Sequence, residues 1–155
     1  MNIYIAAPFF TDKQLRTVKL LEAMITAKSH TPISPRNFGV LKPKAPYKDR
    51  TEIFNLNCEG IQKSDAIIAW VDDNDSGTIW EIGYGFGLGK SVLGLSLCNK
   101  INLMLAQSCR GFILGHEDLG NFLEVKNHGY EYANTYGNAV DLNWEVAHKW
   151  MQEIY

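Results

Sequence analysis

The chain has little of what marks an unusual environment. Its 155 residues include only three cysteines, Cys58, Cys98 and Cys109. Their odd number and lack of metal-ligand spacing argue against a disulfide framework or a cysteine-built metal site and leave structural thiols. No apolar run approaches the roughly 20 residues needed to cross a bilayer. Met1-Asn2-Ile3 lacks the basic start of a signal peptide, so a cytoplasmic protein is expected, without membrane attachment. The formal net charge is only −2, with Lys and Arg scattered. That gives no electrostatic footprint for a nucleic-acid polymer, although single nucleosides stay open as ligands. The composition, 46% hydrophobic and 21% charged, is that of one globular domain spanning 1–155 with a sizeable core.

Apolar periodicity organises the chain into alternating strands and helices. Asn2 to Ala7 reads as a strand running into Pro8-Phe9-Phe10. Thr11-Asp12-Lys13-Gln14 can cap a helix through about Lys28, with Leu15, Val18, Leu21, Met24 and Ile25 on its buried stripe. His30 to Ile33 reads as a second strand. Ser34 to Tyr47 holds three of the five prolines and predicts a long irregular connection of the kind that lines sites. A helix follows from Tyr47 to Lys63, with Ile53, Leu56, Gly60 and Ile61 inward, and then a fully apolar strand from Ala66 to Val71. Ser91 to Leu97 and Gly111 to Leu114 read as further strands, with a short helix over Ile101 to Gln107 between them. A Tyr-rich irregular section from His128 to Tyr136 leads to a last helix over about Leu142 to Glu153. Such alternation predicts an α/β fold, a doubly wound, flavodoxin-like five-stranded parallel sheet in a single domain.

The most informative segment follows the third strand: Asp72-Asp73-Asn74-Asp75-Ser76-Gly77-Thr78-Ile79-Trp80-Glu81. Open α/β sheets place their ligands at strand carboxyl ends, and there a Ser-Gly-Thr turn starts a glycine-studded helix carrying Glu81 towards the crevice that holds Asp75. Two readings of Glu81 stand side by side. It is either a catalytic carboxylate or the last member of a Thr78-x-x-Glu81 capping box. Asp75 is a site carboxylate or an ordinary helix-start residue, and Asp72 and Asp73 read as a solvated loop. The alternating glycines 83, 85, 87 and 89 do not make a dinucleotide fingerprint, because its last glycine would fall on Leu88 or Lys90. Gly89-Lys90-Ser91 does not complete a P-loop, whose first glycine would fall on Tyr84. Close packing on the sheet, with Gly89 as the helix cap, accounts for these glycines.

Three blocks in this order resemble the nucleoside 2-deoxyribosyltransferase family: Ile3-Tyr4-Ile5-Ala6-Ala7-Pro8-Phe9-Phe10, then Asp75-x-Gly77-x-x-x-Glu81-x-Gly83-Tyr84, then Ile101-Asn102-Leu103-Met104 with Ala106-Gln107. A final tyrosine, Tyr155, is also similar to some members. The resemblance implies a transferase that swaps the base of a 2'-deoxynucleoside for a free purine or pyrimidine base through a deoxyribosyl ester, needing no metal or organic cofactor. It places the nucleophile on Glu81, a sugar or proton role on Asp75, and a hydroxyl that holds the nucleophile on Tyr4. A strand aromatic packed in the core is the alternative for Tyr4.

By the same resemblance Phe9 and Phe10 wall a planar base, and Gln14 reaches it if its helix starts beside the pocket. Arg36 and Asn37 are further base-recognition candidates. Asn102 and Met104 match residues that enter a neighbouring subunit's site, which implies a homo-oligomer, with a helix cap and a core filler as the alternatives. Tyr155 would bring its terminal carboxylate near the site or simply fray. One position departs from the pattern: Asn57 stands where well-known members carry an Asp thought to protonate the base. An amide can hydrogen-bond a base but is no carboxylic acid, so Asn57 is expected to bind and not to protonate. Two rivals remain, a nucleoside or nucleotide N-glycosidase, for which Arg36 would favour a 5'-phosphate, and a non-catalytic nucleotide-sensing module.

Overall fold

A computed structural model describes residues 1–96, 100–114 and 139–141. Its central sheet has five strands, β1 (Asn2–Ala6), β2 (Thr31–Ile33), β3 (Ala66–Trp70), β4 (Ser91–Ser96) and β6 (Gly111–Leu114), in the order β2-β1-β3-β4-β6. Every pairing in it is parallel. This is the flavodoxin-like, doubly wound arrangement that the alternation predicts.

Burial on both faces explains why the inner strands are continuously apolar. On one face Ile3, Ile5, Ile68, Trp70, Leu93 and Leu95 pack with Val18, Leu21 and Ile25 of α1 (Asp12–Ala27). On the other, Tyr4, Ala6, Ile67, Ala69 and Val92 meet Ile61 of α2 (Tyr47–Lys63), Ile82 of α3 (Ser76–Gly87) and Leu105 of α4 (Leu103–Ser108). Helix α1 begins as its sequence says. The Thr11 side chain accepts from the Gln14 backbone N–H, and the Gln14 side chain bonds back to the Thr11 N–H, closing a capping box.

Helix α3 ends in a Schellman turn: Gly89 adopts φ +70° and the Lys90 N–H reaches the Gly85 carbonyl. Gly85 itself faces β3 so closely that a Cβ there would sit 2.2 Å from Ile67 Cδ1. Gly85→Ala should therefore force this buried contact apart and cost about 1–3 kcal/mol, the usual range for overpacking. A urea midpoint equal to wild type would contradict it.

Two expectations change. The short helix does not start at Ile101. Lys100–Asn102 form β5, antiparallel to β7 (Ala139–Asp141), and the helix begins only at Leu103. The cause is a pairing partner far along the chain, which local periodicity cannot reveal. The acidic loop also differs, because Asp72 is half-buried and accepts hydrogen bonds from Ser96 Oγ and, at 3.4 Å, from Trp70 Nε1. The Tyr-rich section and the last helix lie outside the described residues.

Candidate active site

From β1 the chain crosses to β2 on one side, and from β3 to β4 on the other. The carboxyl ends of β1 and β3 therefore flank the point where strand order reverses, the usual crevice of such sheets. The Pro8–Phe10 exit of β1, the 72–75 loop after β3 and the start of α3 all gather there.

Asp75 is the N-cap of α3. Its Oδ2 accepts from the Thr78 backbone N–H at 2.8 Å and from Thr78 Oγ1 at 3.0 Å. Thr78 is thus a residue of the first turn and not a cap, so the Thr78-x-x-Glu81 capping box does not form. Glu81, on the second turn, is turned instead towards the sheet. Tyr4 Oη, from the middle of β1, donates to Glu81 Oε1 at 2.7 Å and lies 3.3 Å from Asn57 Oδ1 on α2. Three separate elements thereby meet at one hydroxyl.

Burial pushes the Glu81 carboxyl up to about 7; the Tyr4 hydrogen bond pulls it down, and the charge of Asp75 pushes it up. A carboxyl so placed is uncharged part of the time at neutral pH and strongly nucleophilic when ionised, since few waters solvate it. The Tyr4 hydroxyl is driven far above its ordinary range by burial, then by the Glu81 charge and the bond to it. It stays a donor. Cys58, beside Asn57 on α2, is also raised, chiefly by burial, and Cys109 is pushed up to about 12 by burial. High values keep both thiols protonated and unreactive, and Cys98 lies outside the described residues.

The other candidates are placed as follows. Gln14 clamps two loops: its Oε1 accepts from the Phe10 and Thr11 N–H groups and its Nε2 donates to Asp73 Oδ2 at 2.8 Å. Helix α1 does begin beside the crevice, and Gln14 there joins the exits of β1 and β3. Phe9 and Phe10 stack with ring centroids 5.0 Å apart. Phe9 packs on the α1 face of the core and Phe10 is 69% exposed. Arg36 is bound to Glu22 of α1 through both Nε and Nη2, and Asn37 is exposed at the end of the short 3-10 turn Pro35–Asn37. Neither contacts the Tyr4–Glu81–Asn57 group in the hydrogen bonds formed among described side chains.

Asn102 caps α4, accepting from the Met104 N–H at 2.9 Å, and Met104 points outward, 72% exposed. Tyr155 lies outside the described residues. Among those described, no cluster of three or more His, Cys, Asp or Glu side chains could hold a metal ion, and no helix is long and apolar enough to cross a membrane. Thr78, Asp73 and Glu22 were not foreseen as partners. Only the Ser/Thr-rich turn after Asp75 carried a local signal, an Asp placed three residues before a backbone N–H it can cap.

The model of the nucleoside 2-deoxyribosyltransferase family matches residues 3–134, spanning β1, Asp75, Glu81 and the Asn102–Met104 segment. The chain belongs to this family. A 2-deoxyribosyltransferase from the psychrotolerant bacterium Bacillus psychrosaccharolyticus is 33% identical, with a TM-score of 0.70 over 78% of this chain and 91% of that one. Two more distant structures share the fold. One is a 2-deoxyribosyltransferase from Leishmania mexicana, with 23% identity and TM-score 0.52 over 98% and 97% of the two chains. The other is a CMP N-glycosidase from Clostridium botulinum, with 16% identity and TM-score 0.57 over 80% and 96%. No curated protein sequence is significantly similar to the chain.

Proposed function

We propose that the protein transfers 2-deoxyribose between nucleobases, with Glu81 as nucleophile. The observation that carries this is the 2.7 Å bond from Tyr4 Oη to Glu81 Oε1, which holds a desolvated carboxylate against β1 in a chain of this family. The ionised Glu81 oxygen attacks C1' of the sugar, forming a deoxyribosyl ester as the bond to the base nitrogen breaks with its electron pair. A second base then attacks C1' and expels the carboxylate. The absent 2'-hydroxyl is what makes the substrate's oxocarbenium-like centre easy to form and the ester easy to reopen.

Departing bases need a proton or a hydrogen-bond donor at their ring nitrogen. Asn57 can contact a base edge but has no acidic proton, so Asp75, a water or another residue handles the proton, or the range of bases is altered. Asp75 Oδ2 is held by Thr78, which leaves Oδ1 for the ligand. Since Arg36 is committed to Glu22, the cation suggested for a 5'-phosphate is already neutralised, which favours nucleosides over nucleotides. The exposed Met104, with Ile79, Phe86 and Leu88 of the α3 side also exposed, supports an oligomer in which a neighbouring copy completes the pocket.

Incubation with a deoxynucleoside, with and without a second free base, tests the reading. New nucleoside should form when the second base is present, and the intact mass should gain one deoxyribosyl group on Glu81 when the acceptor is absent. Free sugar released at the same rate with or without acceptor would make the protein a hydrolase. Neither base release nor adduct would overturn the proposal.

A further inference from the structure

Gly60 lies on α2 one turn beyond Asn57, and the two face the same strand residue. A Cβ on Gly60 would sit 3.0 Å from Tyr4 Cε2, 3.2 Å from Tyr4 Cδ2 and 3.1 Å from Ile33 Cγ2. Tyr4 has nowhere to retreat. Its side chain is fully buried, its ring is walled by the sheet-face core around Ile61 and Ile67, and its hydroxyl is fixed between Glu81 and Asn57. Interiors at crystal-like density pass such a displacement on instead of absorbing it. A push of a few tenths of an ångström on one edge of the ring therefore swings the hydroxyl at its far end.

We propose that Gly60 is a positioning residue for Glu81, acting through Tyr4: the missing side chain is the seat that lets the phenol stand where its hydroxyl reaches the carboxylate. Helix α2 thus serves the site twice, through the amide of Asn57 and through the bare backbone one turn on. The catalytic consequence rests on the transfer reaction proposed above, whereas the effect on the carboxylate does not.

The groups facing Glu81 from the packed elements are Tyr4 on β1, Asp75 at the start of α3 and Cys58 on α2. Of these, only the Tyr4 bond lowers its pKa. Gly60→Ala should therefore raise the Glu81 pKa, measured by carbon NMR of the labelled carboxyl in the folded protein. It should also move the acid limb of kcat/KM to higher pH and lower kcat about tenfold with KM little changed, less than the ~100-fold expected for a full 1 Å misplacement. In a Tyr4→Phe background, Gly60→Ala should add no further pKa shift.

An unchanged Glu81 titration in folded Gly60→Ala, or an equal additional shift without the Tyr4 hydroxyl, would overturn the proposal. If Gly60→Ala does not fold, Tyr4→Leu with Ile33→Ala in the same chain should restore folding, because together they remove the Tyr4 Cε2 and Ile33 Cγ2 atoms that the new methyl meets; failure to restore it, where Tyr4→Leu with Ile33→Ala alone folds, also overturns the proposal. The NMR titration needs no substrate, so a protein inactive on deoxynucleosides would refute the transfer reading and still decide this one.

Discussion

Glu81→Gln should abolish base exchange and yet make the protein more stable at neutral pH. The activity loss follows from removing the only proposed covalent nucleophile, and a drop of at least ~10³-fold is expected for such a group. The gain in stability follows from burial. The Glu81 carboxyl, ordinarily at 4.5, is carried to about 7 in the fold, whereas the unfolded chain returns it to its ordinary value. Between those two pH values the folded state holds a proton that the unfolded state has released. Stability therefore falls as pH rises through that window, the reverse of a salt-bridged carboxylate.

Such a shift corresponds to about 3 kcal/mol, as each pKa unit represents ~1.4 kcal/mol. Glutamine accepts from the Tyr4 hydroxyl without ionising. Wild type and Glu81→Gln should match in stability near pH 4 and separate by up to ~3 kcal/mol at pH 8, with the variant the more stable. Urea unfolding at the two pH values checks it. Parallel pH dependence in both proteins would show that Glu81 is not the desolvated group the geometry makes it.

Tyr4→Phe should cut kcat on the order of 10²-fold, as expected when one preorganised hydrogen bond to a reacting group is lost. The ring remains, so the core keeps its packing and stability should change by no more than ~1–2 kcal/mol. Without the hydroxyl, burial and the Asp75 charge act on Glu81 unopposed and its pKa rises. The ionised nucleophile then persists only at higher pH, and the acid limb of kcat/KM should shift upward. A pH–rate profile that merely drops, with its limb in place, would mean that Tyr4 is a core aromatic and not the residue that holds the nucleophile.

Much of the fold was legible because its determinants are local. Continuous apolar runs marked β1, β3 and β4, the stripe from Val18 to Ile25 marked α1, and Thr11 with Gln14 marked where it starts. Capping boxes and apolar periods are written over a few residues, so sequence shows them directly. The same local logic also offers a capping box at Thr78-x-x-Glu81, which does not form. Asp75 offered a better cap three residues earlier, and once it closed on the Thr78 N–H the later pattern had no free helix end to serve. At Ile101, a strand partner at Val140 outweighed the helical reading of the residues around it.

The roles of the polar side chains depended on distant neighbours. Gln14 was placed beside the crevice by its helix, but that its amide would bridge to Asp73 follows only from the adjacency of β1 and β3. Arg36 looked available for a ligand until α1 laid Glu22 against it. Cooperation of Gly60 with Tyr4 is invisible in sequence, since a glycine there reads only as a small inward residue.

Sequence was enough to place this chain in its family and to locate a carboxylate at the carboxyl end of a buried strand, because hydrophobic period, turn chemistry and motif spacing are properties of neighbours along the chain. What Glu81 is chemically was decided by folding. Its raised pKa, its bond to Tyr4 and its distance from any capping duty arise from desolvation and contact between residues 77 positions apart. Only a packed interior, where water is excluded and charge is poorly screened, supplies those.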